Sequence, residues 1–160
     1  MKRKLFTSIF AGILFLGMAF TGASCSSDPT GAEGLHMLTR SITIDKNAWQ
    51  WDAAHGRYYA VADLPELTND IYEYGDLDGY VYIVEDEATG EVLKPLPYIY
   101  TYEETASDGS PIIYSETISC DFQSNPGTVA FYIQDSDRAR VDEYLQTHYF
   151  RVVLTWNGAY

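Results

Sequence analysis

Apolar and polar positions alternate strictly along most of the chain from residue 41 onward, in short runs separated by turn residues. SITID (41–45) sets Ile42 and Ile44 on one face. RYYAVADL (57–64) opposes Tyr59 and Val61 to Tyr58, Ala60, Ala62 and Leu64, and GYVYIVED (79–86) opposes Tyr80, Tyr82 and Val84 to Val81 and Ile83. PIIYSETISCDF (111–122) puts Ile112, Tyr114, Ile118, Cys120 and Phe122 on one side and Ser115, Thr117, Ser119 and Asp121 on the other. TVAFYIQD (128–135) aligns Val129, Phe131 and Ile133, and YFRVVLTW (149–156) aligns Phe150, Val152, Leu154 and Trp156. Side chains on a strand repeat every two residues, so each run reads as a half-buried strand. With PYIYTYE (97–103) and WQW (49–51) the count is seven or eight. The breaks GDLDG, EATGE, SDGSP and SNPG are turn-forming, and strands at this spacing predict an antiparallel β-sandwich, immunoglobulin-like or jelly-roll-like.

Two segments switch to helical spacing. DLPELTNDIYEYG (63–75) offers Asp63 as N-cap, Glu66 as its capping-box partner, Leu67, Ile71 and Tyr74 on one face, and Gly75 as a stop. DSDRARVDEYLQTH (135–148) spaces Val141, Tyr144, Leu145 and His148 as one helical face.

The N-terminus has a different logic. Lys2, Arg3 and Lys4 precede an uncharged apolar run, Leu5 to Phe20, and then the small residues Thr21–Ser24. That is the order of a cleaved secretory signal, and the run is shorter than the roughly 20 residues a spanning helix needs. GASC (22–25) resembles the lipobox of bacterial lipoproteins, which implies that Cys25 becomes a lipid-modified mature N-terminus. The expected organisation is a signal peptide over 1–24, lipidated Cys25 with a flexible tether over 25–38, and a β-sandwich over 39–160. The tether, rich in Ser, Gly and Pro, spans on the order of 20 Å as a random chain. Ser26 after the cysteine is, by the same resemblance, the arrangement of outer-membrane lipoproteins.

Removing the signal leaves seven Lys plus Arg against 23 acidic residues, a net charge of −16 where the whole chain has −13. Nucleic-acid partners are excluded, because their affinity rests on basic side chains neutralising phosphates. An anionic membrane surface repels the same charge, so contact with the membrane would run through the lipid. Cys120 is the one other cysteine. No intrachain disulfide is therefore expected, and Cys120 reads as a small buried hydrophobe.

All 14 tyrosines and three tryptophans lie beyond the tether. WQW, GRYYAVADLPELTNDIYEYG, KPLPY and YSETISCDF with GTVAFYIQDSD resemble small lipoproteins of Bacteroidetes. The recurring pieces are Trp49, Leu64–Thr68, Leu96–Tyr98 and Phe131–Ile133. That resemblance implies a β-sandwich in the cell envelope and no particular activity.

Three kinds of candidate chemistry remain. Trp49 and Trp51, and Tyr98, Tyr100 and Tyr102, fall on single strand faces where exposed rings could stack on sugars, with Glu103 and Glu104 accepting bonds from sugar hydroxyls. Aromatic residues also build cores, but so many tyrosine hydroxyls are hard to satisfy inside one small domain, so some face water. YGDLDGYVYIVE (74–85) places Asp76, Asp78, Gly79 and Glu85 at positions three, five, six and twelve of a calcium loop. Tyr74 replaces the first ligand, and a strand over 80–84 would carry Glu85 away, so at most a weak calcium is expected. No catalytic motif occurs: His36, His55 and His148 lack ligand spacing, and no nucleophile elbow, phosphate loop or paired-cysteine motif is present. The expectation is a non-catalytic envelope lipoprotein without a cofactor. It would be a binding or interaction module, with a glycan-binding module and a subunit of an envelope assembly as alternatives.

Overall fold

A computed structural model describes residues 34–86 and 90–158; the signal peptide, Cys25 and most of the tether lie outside them. Nine strands form in chain order: β1 (Leu35–Ile44), β2 (Gln50–Asp52), β3 (Arg57–Asp63), β4 (Asp76–Asp86), β5 (Gly90–Pro95), β6 (Tyr98–Thr105), β7 (Pro111–Ser124), β8 (Gly127–Asp135) and β9 (His148–Asn157). They pair antiparallel into two sheets, β1-β9-β4-β5 and β2-β3-β8-β7-β6. The expected sandwich is what forms, with nine strands where seven or eight were counted. The strand without a counterpart in that count is β5, a short edge strand with no alternation of its own to announce it.

The inward phases are those of the sequence. Ile118, Val129 and Phe131 from one sheet and Val81, Phe150, Val152 and Leu154 from the other are fully buried. Burying one such side chain stabilises the fold by about 1.5–3 kcal/mol. At the centre Phe131 of β8 stacks on Phe150 of β9, ring centroids 3.9 Å apart.

Three local expectations change. The tether ends sooner: β1 begins at Leu35, and His36 stacks on Trp156 at 5.5 Å instead of lying in a linker. The first helix, α1, spans only Asn69–Tyr74 and is capped by Thr68, whose hydroxyl accepts from Ile71 N–H. Asp63 does not cap it: Asp63 closes β3, Leu64 N–H donates to Gly127 O (2.9 Å), Glu66 pairs with Arg40 (3.4 Å), and the segment is a turn with Leu64 and Leu67 buried. The second helix shrinks to one 3₁₀ turn, Asp142–Tyr144, and His148 opens β9.

Between the sheets, β4 meets β7 where Gly79 faces Cys120. A methyl group at Gly79 would overlap the Cys120 sulfur and stand 3.2 Å from Leu96 Cδ1.

Candidate functional site

The β6 run YIYTYE places Tyr98, Tyr100 and Tyr102 at successive inward positions, and Tyr114 of β7 stands directly across from Tyr102. The four rings form a ladder: centroids are 6.1 Å apart for Tyr98–Tyr100, 5.9 Å for Tyr100–Tyr102 and 5.6 Å for Tyr102–Tyr114. Interplanar angles of 25°, 36° and 26° turn their faces toward one another along the strands.

Beside the ladder the pattern of inward apolar residues is broken twice. Glu116 occupies the inward phase between Tyr114 and Ile118, and Asp135 the one after Ile133; the register pairs Tyr100 with Glu116 and Glu116 with Asp135. Tyr100 donates its hydroxyl to Glu116, and Tyr102 donates to Asp135 Oδ1 at 3.4 Å. Burial pushes the Glu116 carboxyl above its usual range, with Asp135 adding to the rise while the Tyr100 bond opposes it. Asp135 is raised by burial and by the charge of Asp137, against the Tyr102 bond. Burial, then the neighbouring carboxylates, moves Tyr100 upward and Tyr102 up to about 12. Tyr58 likewise rises to about 12 through burial and its bond to Asp142 Oδ1 (2.8 Å). All three hydroxyls are therefore protonated donors at neutral pH.

These groups line a two-armed cleft between the sheets. One arm, about 590 Å³, is bounded by Tyr82, Ile83, Tyr98, Tyr100, Glu116 and His148. The other, about 440 Å³, is bounded by Tyr58, Tyr100, Tyr102, Glu116, Asp135 and His148. Tyr100, Glu116, Gln146 and His148 belong to both. His148 is buried, which pushes its pKa down, and its Nδ1 lies 3.0 Å from Gln146 O.

The structure separates the sequence candidates. Tyr98, Tyr100 and Tyr102 come together on the cleft wall. Glu103 points to the opposite face of β6, and Glu104 is the neighbour that reaches the cleft. Trp49 is not part of an exposed row: it precedes β2, is buried, and donates its indole N–H to Gln146 O (3.3 Å) beneath the cleft. Trp51 is half-buried and packs edge-on against Tyr58 at 4.8 Å.

The calcium loop does not form. Asp76 and Asp78 are exposed at the start of β4, and Glu85 lies nine residues beyond Asp76 at a register shift near the far end of the same strand, roughly 30 Å from it at strand rise. Among the described residues no group of three potential ligands converges. Cys120 is half-buried, and its thiol is pushed up to about 11 by burial and by Asp121. An activated thiol would need a cationic partner to do the opposite.

Pattern reading passes over Glu116; it puts Tyr114 on the inward face without a role, and Asp135 in a solvated acidic turn with Ser136 and Asp137. The signal of the two acids is nonetheless present: an acid in phase with a buried stripe must be either bonded inside or lining an opening.

The raised Glu116 pKa sets a pH test. Because the folded carboxyl holds its proton more tightly than the unfolded one, its favourable contribution is complete below the unfolded value near 4.5 and fades as pH rises through the higher folded value. Glu116→Gln should therefore raise the melting temperature relative to the parent at pH 8, and the gap should close at pH 4. Thermal unfolding of both proteins at the two pH values measures this; an equal gap at both would refute it.

Comparison with protein-family models, with curated proteins and with solved structures returned no match.

Proposed function

We propose that this protein is a lipid-anchored, non-catalytic binding module of a bacterial cell envelope, held at the outer membrane through Cys25, and that its ligand enters the tyrosine-lined cleft. The observation that carries the reading is the break in the buried stripes. Glu116 and Asp135, with the tyrosine ladder, turn one part of the interior into a polar, aromatic opening of ligand size. Cores do not bury acids at in-phase positions without use or partners.

Binding is favoured over hydrolysis by geometry. Glu116 and Asp135 are cross-strand neighbours on one wall. A glycosidase pair instead flanks the scissile bond, and two acids side by side on one sheet do not.

A glycan-binding reading draws on the tyrosine hydroxyls and the carboxylates, which together can donate to and accept from sugar hydroxyls. Because the ladder rings face one another, such recognition would run through their edges and hydroxyls. An assembly-subunit reading draws on Ile99 and Ile113, which are exposed on the outer face of the β6–β7 edge.

Two measurements test the proposal. Cells fed an alkyne fatty acid should label the parent protein, and Cys25→Ser should abolish the label and release the protein from the membrane fraction. Persistence of label in the variant would remove the anchor. For the cleft, the full chain in detergent, carrying ¹³C-labelled tyrosine rings, is titrated with a panel of soluble oligosaccharides and small polar metabolites. A ligand should move the ring signals of Tyr98, Tyr100 and Tyr102 and leave Tyr74, exposed outside the cleft, in place. Ligands that move only tyrosines outside the cleft would sink this choice of site.

A further inference from the structure

Resting on the cleft reading above, we infer that the occupant is an organic cation of the linear polyamine class, held by carboxylates spaced along both arms and by the tyrosine hydroxyls between them. Glu91 lines one arm, Glu104 and Asp135 the other, and Glu116 stands where they meet. Among the described residues no lysine or arginine lines either arm. The basic groups nearby are held at the edge of the cleft, where Arg151 donates to the hydroxyl of Tyr82. Arg140 is bonded to Asp142 at 2.9 Å, and Lys94 Nζ sits 6.0 Å from the Tyr98 ring centroid at one end of the ladder.

Each class of occupant meets this lining differently. An anion would face four carboxylates and be repelled. A neutral polyol would bond to the oxygens but leave their negative charge uncompensated in a partly desolvated space. An ammonium group supplies both the donors and the counter-charge, and charge-assisted bonds to carboxylate are about twice as strong as neutral ones. The hydroxyls of Tyr100 and Tyr102 donate to the carboxylates and keep lone pairs that can accept from an ammonium N–H. The acids are distributed along two arms joined at Glu116, so a flexible chain bearing several amino groups matches them better than a single compact ammonium. The net charge of −16 on the mature chain would also steer a polycation toward the domain.

That same net charge attracts any polycation weakly, so the test separates the cleft from the general field. The full chain in detergent is titrated with spermidine by calorimetry at 150 mM NaCl, with tyrosine-ring NMR in parallel. The expected result is saturable binding that moves Tyr98, Tyr100 and Tyr102, weakened at least tenfold by Glu116→Gln with Asp135→Asn. The rim change Glu104→Gln, at an exposed position, should weaken it about threefold on its own. Asp76→Asn with Asp78→Asn removes as many charges from the outer face of β4 and should leave affinity within twofold.

Equal loss in the cleft and β4 pairs would mean diffuse attraction and overturn the inference. So would an absence of saturable binding. If the oligosaccharide panel moves the cleft tyrosines while spermidine does not, the polyamine assignment falls and the binding-module reading stands. If neither moves them, both fall.

Discussion

Gly127→Ala is expected to lower the melting temperature by about 10–20 °C, corresponding to a loss of about 3–5 kcal/mol in a chain of this size. A methyl group there would overlap the carbonyl oxygen of Leu64 and stand 2.9 Å from that of Leu67. Both are backbone atoms, so no side-chain rotation relieves the clash. The turn that carries them is tied down by the bond from Leu64 N–H to Gly127 O and by the burial of Leu64 and Leu67. Moving it therefore sacrifices a hydrogen bond and part of two leucines' burial at once. Alanine ordinarily gains up to about 1 kcal/mol over glycine in regular structure, so the sign of the effect is itself diagnostic. A melting temperature within 3 °C of the parent would show that β8 and the Leu64–Thr68 turn are not in this contact.

Phe131→Ala should cost about 3–5 kcal/mol in urea denaturation, the range for removing a buried aromatic ring. Phe131 and Phe150 are fully buried, lie on neighbouring strands of opposite sheets, and meet ring to ring at 3.9 Å. Truncating one leaves the other against a cavity, so Phe131→Ala and Phe150→Ala together should cost less than the sum of the two alone. Phe131→Leu, which retains most of the volume, should cost less than half as much. A loss under about 1.5 kcal/mol for Phe131→Ala, or strict additivity of the pair, would contradict a core centred on this stack.

The sandwich was legible because its strands are half-buried: Val129, Phe131 and Ile133, like Phe150, Val152 and Leu154, alternate with outward residues and fix their own orientation. Local signals failed where tertiary bonds outcompeted them. Asp63 and Glu66 have capping-box spacing, yet Asp63 is held in β3, Glu66 pairs with Arg40, and the helix starts only at Thr68. LHML (35–38) lacks a polar alternation and read as linker, but pairing with β9 makes it strand.

The site was half legible. Tyr98, Tyr100 and Tyr102 were visible as one face, whereas their partners Glu116 and Asp135 are remote in sequence and became neighbours only through the β6-β7-β8 register. Trp49 misled because a tryptophan beside a short edge strand carries no mark of which way it turns.

The contact of Gly79 with Cys120 has a consequence at a distance. Four residues along β4 from Gly79 is Ile83, four residues back along β7 from Cys120 is Glu116, and both border the larger arm of the cleft. The missing side chain that lets the two strands meet therefore lies about 13 Å, at strand rise, from the wall of the cleft. Bulk inserted there would press β4 against Cys120 and Leu96 and strain the same two strands that carry Ile83 and Glu116 to the cleft.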